Sequence, residues 1–323
     1  MGGLPRLVAA LVFGGACASA CARETAPPPR NVAGGASRAE GDCASCHPAI
    51  VEEWRSSFHR TAFSDASFQR SLSLEEPKEH AFCLRCHAPA ERTAGREAGV
   101  TCDSCHGTPH EPARASRASG AGESCASCHE FSFDDGRADL VQKTVSEHAA
   151  SAFAGVACSD CHMPRVDGHK DHRFLAGHDP KGRIASAVHV DLRRVAGEKV
   201  AAVRVTVRVD AGHAFPTGDM FRRARLQIFA EDATGAIVAD AERVFGRTWG
   251  SEGPGPHAGR RKETSDTRIR GTYDERIVLE SGASARIIVR VRWSLLYERV
   301  LAMRGPHVEL ASSDVVASGD MMW

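Results

Sequence analysis

Cys43-Ala44-Ser45-Cys46-His47 is the stretch on which the reading of this chain turns, because the Cys-x-x-Cys-His pattern returns four times: at Cys83, Cys86, His87; at Cys102, Cys105, His106; at Cys125, Cys128, His129; and at Cys158, Cys161, His162. Every cysteine after Cys21 belongs to one of these five copies. The spacing has a chemical reason: two thiols two residues apart can each add to one vinyl group of a single haem, and the adjoining histidine then meets the iron from that side. Zinc clusters and disulfide frameworks also use paired cysteines, but neither requires histidine directly after the second one. With histidine at 16 of 323 positions, finding it after all five pairs by accident has odds on the order of one in a few million. The ten cysteines therefore read as covalent attachment points for five haems c, and the five motif histidines as their proximal iron ligands.

Working outward, the motifs fill residues 40–182, a stretch poor in Leu, Ile and Val. Such a segment cannot build an ordinary core, so the macrocycles have to serve as core and staple together. The expected class here is mainly α and irregular. On the N-terminal side, Leu7 to Phe13 is an apolar run after Arg6, leading into small residues up to Ala20, and residues 1–21 read as a secretory signal. Ala18-Ser19-Ala20-Cys21 reads either as a cleavage site or as a loose lipoprotein box, which makes Cys21 a candidate lipid anchor. Residues 22–39, rich in Pro, Gly and Ala, read as a flexible linker.

On the C-terminal side the pattern changes to strict alternation, and residues 183–323 read as a second domain. Val203, Val205, Val207 and Val209 alternate with Arg204, Thr206 and Arg208; Ala224, Leu226, Ile228 and Ala230 with Arg225, Gln227 and Phe229; Ile287, Val289, Val291 and Trp293 with mostly Arg. These are half-buried strands separated by turn signals, and the expectation is an antiparallel β-sandwich of the immunoglobulin type. Residues 246–272, rich in Gly, Pro and charge, read as a long loop. Formal charge is zero overall, but residues 1–180 hold 18 basic and 23 acidic side chains, so the first half is negative and the second positive. The halves can dock on one another, or each can steer a different partner.

Eleven histidines lie outside the motifs, more than five irons can use as sixth ligands. His59 flanks a helical apolar stripe of Ile50, Val51, Trp54, Phe58 and Ala62; His148 borders another made of Val141, Val145, Ala149 and Phe153. His110 follows the third motif in a turn-rich stretch that can fold back over a haem face. His172 is preferred from the cluster His169, His172 and His178. His213, in the turn Gly212-His213-Ala214-Phe215-Pro216-Thr217-Gly218 directly after a strand, can reach across to the last haem of the first domain. Met163, Met220 and Met303 are alternatives, and a surplus of histidine over methionine ligands favours low-potential haems.

Several of these pieces resemble the cytochrome c-554-like multihaem cytochromes: Cys-Ala-Ser-Cys-His followed by Trp54, Ser57 and His59; Gly99-Val100-Thr101-Cys102 with Cys105-His106-Gly107; Gly155-Val156-Ala157-Cys158 with Cys161-His162-Met163-Pro164; and the Gly-His-Ala-Phe-Pro-Thr-Gly turn, similar to the start of a β domain appended to such proteins. The resemblance covers most of residues 40–240 and implies that His59, His110, His148 and His172 are distal ligands, more loosely His213. It implies an electron carrier of the periplasm, outer membrane or cell surface of a Gram-negative bacterium. Its partners would be redox proteins, either cytochromes or membrane quinol oxidoreductases, with no nucleic acid and with membrane contact only through Cys21. The competing reading is a haem-based reductase of nitrite or hydroxylamine with one open iron, since related scaffolds serve both roles. Every motif ends in His and histidines suffice for every iron, which leans toward the carrier.

Overall fold

The described residues between Pro48 and His162 form short helices, none longer than eight residues. The computed structural model describes residues 43–73, 75–106, 123–132, 139–197, 201–220, 222–250, 262–280, 286–294 and 313–322. In this first half, besides the single turn Glu91–Ala94, the α-helices are α1 (Pro48–Arg55), α2 (Ala66–Leu72), α3 (His80–His87), α4 (Cys102–Cys105), α5 (Glu123–His129), α6 (Thr144–Ala149) and α7 (Cys158–His162). Their starts are set locally. Proline opens α1, the Asp65 carboxylate accepts from the Phe68 amide at 2.8 Å to cap α2, and Thr101 and Ser104 close a capping box on α4.

The apolar stripe read on α1 puts Val51 and Trp54 inside, and the Trp54 indole donates to the Val100 carbonyl at 2.8 Å. Otherwise the described residues of this half hold one small apolar cluster, Phe63, Leu72, Leu84 and Ala88, with Phe68 and Cys83 packed on it.

From Val188 the chain is sheet. A three-stranded antiparallel sheet has the order β7 (Thr272–Leu279), β2 (Ala201–Val209), β1 (Val188–Arg194), and a four-stranded one the order β9 (Ser313–Met322), β8 (Arg286–Ser294), β3 (Arg223–Glu231), β4 (Ile237–Phe245). The alternation sets the faces: Val203, Val205 and Val207 of β2, Leu226 and Ile228 of β3, and Ile287 and Val289 of β8 are all buried in one continuous core shared by both sheets. Val291 and Trp293, read as inward-facing, have side chains outside the described residues.

The stretch 246–272 departs from the loop expected of it. Arg247–Gly250 (β5) and Lys262–Asp266 (β6) pair antiparallel with a bulge at Glu263/Ser265. These strands carry no apolar alternation because their side chains are engaged by polar groups of the first half. Arg247 donates to the Leu140 and Val141 carbonyls, Lys143 reaches Glu263 at 3.0 Å, and the Glu263 amide donates to Asp139 at 2.7 Å. Residues 36–323 accordingly form one compact unit. No described helix is long and apolar enough to cross a membrane.

Candidate functional site

Four of the five motifs end or fill a described helix, α3, α4, α5 or α7, and Cys43 to His47 lead directly into α1. A helical turn is what the motif needs, since residues three apart lie on one face and both thiols of a pair then point the same way. Sulfurs of different motifs also meet. Cys43 touches Cys102, Cys86 touches Cys128, and Cys125 touches Cys158. The attachment points therefore meet in two groups, the first motif with the third and the fourth with both the second and the fifth, and Cys105 of the third motif lies near enough to Cys128 of the fourth to feel its charge. Between the second and fourth motifs lies a cavity of about 430 Å³, lined in part by Phe82, Arg85, Cys86, Cys128 and Phe131. Among the described residues no three His, Cys, Asp or Glu side chains converge on a point as a zinc site requires.

The imidazoles show the fit to a haem iron. The rings of His106 and His172 have centroids 6.2 Å apart and planes 24° from parallel; those of His162 and His213 are also 6.2 Å apart, at 14°. An iron held between two imidazole nitrogens at about 2 Å each, with each ring centre about 1 Å beyond its nitrogen, requires a separation of about 6 Å. Stacking in van der Waals contact would bring rings much closer, as for His87 on Phe68 at 3.7 Å.

Backbone carbonyls orient these rings. Nδ1–H donates to Ala62 O from His87 (2.7 Å), to Leu175 O from His162 (3.1 Å), to Lys170 O from His172 (2.7 Å) and to Ala214 O from His213 (3.2 Å). That leaves Nε2, with its lone pair, for a metal. Burial lowers the proton affinity of His87, His129, His162, His172 and His178. It brings His59 and His213 down to about 4, with neighbouring histidines adding to the effect. Neutral imidazole is the form that ligates.

The remaining candidates separate cleanly. His59 lies in the turn after α1, its ring edge on Phe174 at 4.3 Å and its neighbours His129 and His178. His148, on α6, is 8% exposed with Nδ1 unpartnered, and its ring covers Gly212, where any Cβ would stand 2.7 Å from Cδ2. His47 is exposed at the entrance to α1. His110 lies outside the described residues. His178, passed over in favour of His172, has a buried Nε2 with no partner and a ring 4.4 Å from Phe58; nothing in its spacing marks it, and only its position beside His59 does. By contrast, Nε2 of His169 is engaged by Glu53 at 2.9 Å, that of His80 by Glu75 O at 3.2 Å, and that of the half-exposed His189 by Asp210 at 3.2 Å.

The family model of cytochrome c554 and c-prime matches residues 42–107, and that of cytochrome c3 matches residues 94–175. Over residues 42–175 the chain therefore matches models of multihaem cytochromes c. A penta-haem cytochrome c552 from Thermochromatium tepidum has the same fold, with a TM-score of 0.73 at 20% identity over 89% of this chain and 99% of that one. No curated protein sequence matches. The cofactor of this multihaem cytochrome is covalently held haem c, for which the sequence carries five attachment motifs. The haem, when bound, supplies the one-electron redox centre; the protein supplies the two thioether anchors, the axial imidazoles and the polar groups that set their orientation.

Proposed function

We propose that this cytochrome carries electrons between redox partner proteins through five haems, each held between two histidines. The observation that carries this reading is the pair of imidazole couples, His106 with His172 and His162 with His213, each at the separation a six-coordinate iron demands. An iron closed on both faces exchanges electrons through its haem edge and binds no substrate. The attachment sulfurs that meet between the first and third motifs and among the second, fourth and fifth, with Cys105 near Cys128 between the two groups, support edge-to-edge transfer. His59, His148 and one of His110 and His178 complete the distal set in this reading. The β half is then an immunoglobulin-type sandwich of three and four strands that lends His213 to the fifth haem. The apolar leader 7–13 and the box at Cys21 support residence in the periplasm or on the outer membrane or cell surface, with cytochromes or membrane quinol oxidoreductases as partners.

Electron paramagnetic resonance of the oxidised protein, with and without added nitrite or hydroxylamine, tests the reading. Five low-spin haems indifferent to both additions are expected. A high-spin haem that binds either compound would replace the carrier with a reductase.

A further inference from the structure

The turn that brings His213 opposite His162 belongs to the β half, yet it is not held by the β half alone. Glu147, on α6 of the haem half, is almost fully buried, with 7% of its side chain exposed, and so is its partner Arg268, with 4%. One carboxylate oxygen of Glu147 accepts from the Ala214 amide at 3.2 Å and from the Thr217 hydroxyl at 3.0 Å; the other meets the Arg268 guanidinium. Thr144, one turn earlier on α6, meets Thr217 at 3.1 Å. Beneath the turn, Phe215 and Ile269 exchange backbone hydrogen bonds at 2.8 and 2.9 Å, which ties it to the segment carrying Arg268. His213 is thus flanked by an amide that a buried carboxylate of the other half pins in place.

The same construction occurs at the other imidazole couple. Glu53, on α1, accepts from the backbone amide of His172 at 2.9 Å while its second oxygen engages His169. Both distal rings that face a proximal histidine therefore sit on backbone held by a helix-borne glutamate. A buried carboxylate with three donors is stable, whereas removing it leaves the Ala214 amide without that acceptor and takes one of their acceptors from Thr217, which keeps Thr144, and from Arg268, which keeps Asp266; this favours movement of the turn.

We infer that Glu147 is a positioning residue that holds His213 on the fifth haem, so that closure of that iron depends on docking of the two halves. The inference rests on His213 being that ligand, and the variants separate the two claims. In the full-length holoprotein, Glu147→Ala should convert one of five haems to high-spin, and added imidazole should restore the low-spin signal. Glu147→Gln, which keeps an acceptor for the Ala214 amide, should remain low-spin. A purely structural role would disturb several haems together or reduce haem content without a single imidazole-rescuable site.

His213→Ala is the control. If it leaves five low-spin haems, the ligand assignment itself fails. If it opens one haem while Glu147→Ala opens none, His213 stands and the positioning role is refuted. Should Glu147→Ala not accumulate as holoprotein, Thr217→Val removes one of the same hydrogen bonds; imidazole binding at one haem, increased several-fold over the unaltered protein, would support the inference, and unchanged binding would overturn it.

Discussion

Gly99 shows how one residue can hold a histidine in place. Its φ is +66°, in the region only glycine enters readily, and a Cβ there would lie 2.4 Å from the His59 carbonyl oxygen and 2.5 Å from that of Arg60. The next amide, Val100, donates to that His59 carbonyl at 2.8 Å, and the Val100 carbonyl receives the Trp54 indole. Gly99→Ala should cost about 1–3 kcal/mol and lower the melting temperature by several degrees. A calorimetric scan checks this, and an unchanged midpoint would mean that the close approach is not maintained. Gly212 is similar, since the His148 ring occupies the space a side chain would need. At the iron itself, His172→Ala should leave one haem high-spin in the oxidised protein, with the others unaffected; an unaltered resonance spectrum would remove His172 from the ligand set.

The paired strands β5 and β6 act as the element that clips the halves together. Asp266 at the end of β6 is met by Arg268 at 2.7 Å, Arg270 at 2.5 Å and Lys143 at 3.2 Å. Burial alone would raise its pKa, but the adjacent guanidinium groups outweigh burial and hold it well below the usual carboxylate range. A carboxylate depressed in the folded state adds stability that is fully present above its unfolded pKa of about 4 and is lost as pH falls below that value. The melting temperature should therefore drop as pH is lowered from 5 to 3. Asp266→Asn should be less stable at neutral pH, by about 3 kcal/mol, with a shallower loss in acid. Equal acid slopes for the two proteins would assign the loss to other groups. This element was invisible to hydrophobic alternation because its strands pair polar residues with the haem half instead of turning an apolar face inward.

Over the whole molecule, the apolar cores are unequal. Among the described residues, seventeen buried ones form the cluster shared by the two sheets, against four in the cluster of the haem half. Burial of apolar area scales stability, so the sheets have a core of their own while the short helices depend on the haems they enclose. A protein with all ten motif cysteines changed to alanine should keep its sheet signature in circular dichroism and lose most of its helical signal. Helices that persist at full amplitude without haem would refute this division.

Chemistry that depends on neighbours in the chain was legible in the sequence. The thioether anchors and the proximal histidine adjoin one another covalently, so five copies of Cys-x-x-Cys-His suffice to state the cofactor, and valine alternating with arginine states which face of β2 goes inward. Geometry that depends on distant segments was not. Thirteen residues after His162, the carbonyl of Leu175 orients its ring, and the imidazole opposite comes from a turn of the other half held by Glu147 and Arg268. Likewise, His169 and His172 are almost indistinguishable by position, yet Glu53 takes the ring nitrogen of one and only the backbone amide of the other. A distal ligand is chosen by which backbone packing brings it within about 2 Å of an iron, and that choice exists only once the helices, the turn and the sheets have closed on one another.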